Sequence, residues 1–301
     1  MASLGAYETS YFSAPSDTLD PTLFQGRHLQ SWVRQGITSL LYGFLDRKYH
    51  HANLWAHPWL AGSGVSYQWS ANRQPADLDC LVGVNFIQFR KANPSFTGLS
   101  DKEIAAQINE DFRAELQPQT ENWNGYELTF YVNPTATDIR SIKPYAAYDL
   151  KYDEWTVTPT QTAKAPSKPE WQNSAHGDAM MTNQIVTRYT AAKNDLQTSY
   201  NAAAKRNAET RLWSAGAQAN ALFDEIHNNR ALAFSSNGEG YNDFNNYRWQ
   251  AGKSTGAIHA LRSIREELKG MLQNKTSSTY GVELPDSATL IRRAALQRNG
   301  Q

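Results

Sequence analysis

Two aspartates one residue apart, Asp77 and Asp79, open an apolar run that continues through Leu81, Val82, Gly83 and Val84. Side chains alternate across a β-strand, so both carboxylates leave one face while Leu78 and Cys80 leave the other. Carboxylates this close repel unless a cation lies between them. Hard divalent ions such as Mg²⁺ are bound by one or two carboxylates together with substrate phosphates. Upstream, Ala61-Gly62-Ser63 forms a small-residue turn, and thirteen residues separate Ser63 from Asp77. Gly62 and Gly64 allow close backbone approach, exposed N–H groups can hold phosphate oxygens, and Ser63 adds a hydroxyl. Together these residues suit metal-dependent phosphoryl or nucleotidyl transfer. The plain alternative is a surface strand with two solvated aspartates behind a connecting turn.

The pair Ala61-Gly62-Ser63 and Asp77-Leu78-Asp79-Cys80 resembles the signature of the DNA polymerase β-like nucleotidyltransferase superfamily. There a hydrophobic residue, Gly and Gly or Ser precede an Asp-hydrophobic-Asp/Glu-hydrophobic strand. The resemblance implies an α+β fold, with a polymerase β-like palm (a small mixed sheet with flanking helices) followed by an α-helical domain and the active site in a cleft between them. It implies transfer of a nucleoside monophosphate from an NTP, with ATP the expected substrate, and release of pyrophosphate. The acceptor stays open between RNA, protein and a small molecule. Mg²⁺ or Mn²⁺ would be held by Asp77, Asp79 and a third carboxylate on a neighbouring strand. Glu127 is the candidate, as the only acid inside the next convincing strand, with Asp149 as rival. Gly62 and Ser63 inherit contact with the phosphates, and Lys253 and Ser254 inherit a reach to the triphosphate from the helical domain. A non-catalytic nucleotide- or RNA-binding regulatory protein on the same fold is the second reading.

The elements around these residues are legible in outline. Leu29 to about Tyr49 repeats apolar residues at helical spacing ahead of the Gly62-Ser63 turn. Ser100 and Glu103 spell a capping box for a helix that Pro118 should stop. Tyr126 to Val132 alternates as a strand, with Glu127 and Thr129 on the face opposite Tyr126, Leu128 and Phe130. Asp20-Pro21 reads as a helix start. His50, His51 and His57 lie close together in sequence, and a cap at a helix end explains them better than a metal site. Arg73, in the loop before Asp77, is a possible but unspecific phosphate contact.

The expected organisation is an N-terminal arm (1–20), a catalytic domain (21–157), a Pro- and Thr-rich linker (158–172), a helical domain (173–275) and a tail (276–301). Within the helical part, the polar, glycine-bearing stretch from Asn237 to Gly256 reads as a loop running into a helix start, outside the core. Gly252-Lys253-Ser254-Thr255 resembles the end of a P-loop, but Tyr247 stands where the first glycine is required and no apolar strand precedes it. Lys+Arg and Asp+Glu both total 29, so net charge gives no argument for a nucleic-acid partner. Cys80 is the only cysteine, which leaves no intrachain disulfide and no cysteine-based zinc site. Without a signal-like start or a membrane-length apolar run, the expectation is a soluble, cytoplasmic protein with no membrane partner.

Overall fold

The computed structural model describes residues 10–69, 76–134, 138–161, 167–235, 237–280 and 287–299. Arg73, the first nine residues of the expected arm and residues 162–166 of the expected linker lie outside them. Chain contacts divide the protein into two units: a sheet unit, Phe12–Lys164 with Pro285–Gln301, and a helical unit, Met1–Tyr11 with Ala165–Leu284. The architecture is mixed α+β, with a small sheet and many helices.

The sheet unit opens with a short antiparallel hairpin, β1 (Phe24–Gln25) and β2 (His28–Leu29). Helix α1 (Ser31–Lys48) follows, turning Val33, Ile37, Leu41, Phe44 and Leu45 inward at helical spacing. After α2 (Ala52–Trp55) come β3 (Ala56–Ala61) and β4 (Ala76–Val84), paired antiparallel. The chain then passes through α3 (Phe86–Ala92), α4 (Asp101–Asp111) and α5 (Gln117–Thr120) before β5 (Tyr126–Tyr131). This helical crossover lets β5 lie parallel to β4, which no tight turn could do. Strands β6 (Ala147–Asp149) and β7 (Glu154–Val157) complete a five-stranded sheet of order β5-β4-β3-β6-β7.

One sheet face is the core. Leu60, Leu78, Cys80, Val82, Leu128 and Phe130 join the inward residues of α1 together with Phe89, Ile104, Ile108 and Phe112. The opposite face carries a smaller apolar cluster of Trp59, Ala61, Leu81, Ile139 and Ala147. The capping box is formed in full: Ser100 N–H donates to Glu103 at 2.9 Å, and Glu103 N–H donates to Ser100 Oγ at 3.3 Å.

Several expectations are corrected. The helix begun by the capping box does not stop at Pro118. It continues through a π turn, Phe112–Leu116, into α5, where the proline occupies the first turn and needs no amide hydrogen. Asp20-Pro21 opens a turn rather than a helix, with Asp20 Oδ1 accepting from Thr22 N–H. Residues 12–20 are not a loose arm: Leu19 and Asp20 are buried, and Tyr126 OH donates to Asp20 at 2.7 Å.

The helical unit packs α6 (Pro169–Thr198), α7 (Ala202–Ala233), α8 (Phe244–Ser254) and α9 (Ala257–Tyr280) around Ile185, Leu212, Ala219, Phe223, Trp249, Leu261 and Leu268. Helix α8 occupies the second half of the stretch read as a loop running into a helix start, and unlike that expectation it serves the core. Tyr247 and Trp249 are buried in it, and Arg248 clamps Asp178 from two guanidinium nitrogens while also reaching Glu225. Aromatic burial and a buried ion pair override the polar composition that suggested a loop. The tail expectation also changes, because α10 (Ser287–Asn299) belongs to the sheet unit. Its Arg292 is buried against Gln107 and Glu110, and Ala295 and Leu296 pack on the sheet unit's core. Among the described residues no helix is long and apolar enough to cross a membrane.

Candidate functional site

The register of three strands assembles the site. Asp77 stands opposite Glu127 and Asp79 opposite Thr129 across the parallel β4–β5 pair, while Ala61 stands opposite Asp79 across β3–β4. Register partners share a sheet face, so the three carboxylates leave the face away from the main core. There Asp79 is exposed, while Asp77, Glu127 and Thr129 are half-buried.

The turn after β3 folds back onto the first residues of β4. Gly62 has φ 95° and ψ −160°, a conformation glycine alone adopts at low cost. A methyl group on it would stand 3.2 Å from Asp79 Oδ2, so the Asp79 carboxylate lies beside the bare Cα of Gly62. A methyl on Gly64 would stand 2.8 Å from the Asp77 backbone oxygen, closer than packed atoms allow. Ser66 closes the turn, its N–H and hydroxyl donating to Ser63 O at 3.0 and 2.9 Å. The two halves of the motif, thirteen residues apart in sequence, therefore meet.

The turn differs from the expected cradle in one respect. Gly62 N–H donates to Ala146 O at 3.2 Å and is not available to a phosphate. Contact with an anion would fall to Ser63 and Gly64. Gly62, Ser63, Asp77, Asp79 and Glu127 all belong to the sheet unit. Lys253 and Ser254 form the last turn of α8 in the helical unit, Lys253 half-buried and Ser254 exposed.

Asp149, the rival third carboxylate, lies on the same sheet face but away from the pair, opposite Trp59 on β3. It is buried and heavily bonded. His57 Nε2 is 2.7 Å from its Oδ2, and the N–H groups of Lys151 and Tyr152 donate to Oδ1 at 2.8 and 2.9 Å. Burial alone would push the Asp149 carboxyl up. The bonds from His57, Tyr152 and Lys151 outweigh it and hold the carboxyl below the usual range. The His57 ring stacks on Trp59 with centroids 4.1 Å apart. This pair was not foreseen, since its members lie 92 positions apart in sequence; the only sequence signal was that His57 and Trp59 share a face if Ala56–Ala61 is a strand. Behind the site, burial pushes the Cys80 thiol up, which suits the small apolar role expected of it.

Carboxylate oxygens are the donors a hard divalent cation takes. Asp77 and Asp79 supply carboxylate oxygens on one face beside an open glycine turn, with Glu127 in register. Among the described residues no cluster of three or more His, Cys, Asp or Glu forms a ready-made cage. No protein-family model, curated protein or solved structure matches the chain.

Proposed function

We propose that the protein is a metal-dependent nucleotidyltransferase of the polymerase β-like kind, moving a nucleoside monophosphate from an NTP, with ATP expected, to an acceptor. The observation that carries this reading is the meeting of the Gly62-Ser63 turn with Asp79, while Asp77 stands in register with Glu127. A small-residue turn beside a carboxylate pair puts backbone N–H groups and metal-binding oxygens within reach of one phosphate chain. The small mixed sheet with flanking helices supports the same reading.

In this reading Asp77, Asp79 and Glu127 hold Mg²⁺ or Mn²⁺, which when bound neutralises charge on the triphosphate and lowers the pKa of an acceptor hydroxyl. Ser63 and the Gly64 backbone orient the phosphate chain. The acceptor oxygen forms a bond to the α-phosphorus and gives up its proton to solvent water. The α–β bridging bond breaks, and pyrophosphate leaves with the electron pair. Holding the reacting atoms in line is the main contribution the residues make, because phosphoryl chemistry depends chiefly on positioning and charge stabilisation.

The test is to incubate purified protein with each labelled NTP, Mg²⁺ or Mn²⁺, and RNA, protein and small-molecule acceptors. Divalent-dependent pyrophosphate release with label transferred to one acceptor is expected. Divalent-dependent NTP binding without release under any acceptor would favour a regulatory binding protein instead.

A further inference from the structure

We propose that the groove between α6 and α7 is a binding site for a small phosphate-bearing compound, held by Arg188 and Arg211. The site lies wholly within the helical unit and does not rest on the nucleotidyltransferase reading. A hollow of about 300 Å³ opens there, lined by Arg188, Arg211, Ser214 and Gln218, with Ala191 and Ala215 as its apolar part. That volume stands at the lower end of small-molecule sites. A second, more open hollow of about 480 Å³ shares Arg188 and adds Asn183, Gln184 and Thr187. No acid lines either hollow. Two guanidinium groups therefore stand among neutral hydroxyl and amide groups, a lining that attracts an anion and can hydrogen-bond the rest of it.

The two arginines are not equally committed. Arg211 Nη2 donates to Asp195 Oδ2 at 2.9 Å, so part of its charge is already answered. Arg188 Nε donates to Gln184 O at 3.2 Å, which uses one N–H on a neutral carbonyl, and no carboxylate pairs with it among the described residues. A guanidinium stays charged at any physiological pH and offers donors in a planar fork that matches phosphate oxygens two at a time. A phosphate monoester, with three terminal oxygens, can engage both forks at once, whereas the two oxygens of a carboxylate are satisfied by one. A nucleic-acid strand suits the groove less well. No aromatic side chain lines either hollow, so there is no platform on which successive bases could stack.

Calorimetric titration of the full chain with ribose 5-phosphate, ribose and a short 5′-phosphorylated single-stranded RNA tests this, in metal-free buffer at fixed ionic strength. Wild type should bind ribose 5-phosphate saturably and ribose not at all. Arg188→Gln should weaken ribose 5-phosphate binding about ten- to a hundredfold, the loss expected when charge-assisted bonds are removed. Arg211→Gln should weaken it as well. Asp195→Asn should do the reverse and tighten binding, because it releases Arg211 to the ligand. Both arginines are exposed, so their replacement should leave the fold intact, which a thermal melt on each variant checks. Ribose 5-phosphate bound no better than ribose, or bound equally by wild type and Arg188→Gln, would overturn the proposal. Weaker binding in Asp195→Asn would overturn it too. Binding of the RNA alone would overturn it in favour of a nucleic-acid face.

Discussion

At one end of the sheet's outer face Asp149 is buried, with His57 and two backbone N–H groups closed around it. At the other end Asp79 is exposed beside the bare Cα of Gly62, and Asp77 and Glu127 stand half-buried in register. Four positions along β4, about 13 Å at 3.3 Å per residue, take Asp79 to Gly83, the partner of His57, while Asp149 is level with Leu81 through Trp59. Trp59, Leu81 and Ala147 fill the space between. The same residue type on the same face thus meets two fates. A buried carboxylate bonded by its own chain stabilises that chain, and an exposed one in register with other acids is, in the proposed reading, the one suited to a cation. Charge and strand alternation do not separate the two; burial does.

Exchanging the roles experimentally would break the comparison. The largest effect is expected for Asp77→Asn combined with Asp79→Asn. Transfer should fall by about a thousandfold or more, because several kcal/mol of transition-state stabilisation are lost, while the melting temperature holds. Pyrophosphate release and a thermal melt on the same sample check both halves. Asp149→Ala should do the opposite. It leaves His57 and two N–H donors unmatched, costs about 2–4 kcal/mol of stability, and spares the turnover of the folded fraction. Denaturant titration measures the first, and activity per folded molecule the second. Gly62→Ala lies between them. A left-handed φ beside Asp79 Oδ2 should cost about 1–3 kcal/mol and lower activity by displacing that carboxylate.

The smallest effect sharpens the comparison through pH. Because the folded-state pKa of Asp149 is held below its unfolded value, its stabilisation is present above about pH 4 and disappears as pH falls through the folded value. Melts from pH 6 to pH 2 should show wild type losing more stability than Asp149→Asn across that acid window. Equal slopes would remove Asp149 from the stabilising role assigned to it.

The acidic end was the readable one. Alternation in Tyr126–Tyr131 and apolar spacing along α1 and α4 are local patterns, and they fixed the face of Glu127 and the helices behind the sheet. Strand β3 was not readable, although it lies in the middle of the sheet, because Pro58 and His57 interrupt Ala56–Ala61 in a way that propensity penalises. The His57–Asp149 pair depends on that strand and stayed hidden with it. Helix α8 was misjudged for a related reason: the burial of Tyr247 and Trp249 and the Arg248–Asp178 clamp are tertiary events that no local pattern announces. The docking of α10 through Arg292 is another long-range contact of this kind.

The central claim is that Asp77 and Asp79, and not the His57–Asp149 pair, hold a divalent ion together with a nucleotide. Calorimetric titration of Mn²⁺ with a non-hydrolysable ATP analogue tests it most directly, on wild type, on Asp77→Asn/Asp79→Asn and on His57→Gln. Wild type and His57→Gln should bind the pair of ligands synergistically, and the double aspartate variant should lose that synergy while remaining folded. Equal binding by the double variant, or loss in His57→Gln alone, would contradict the account.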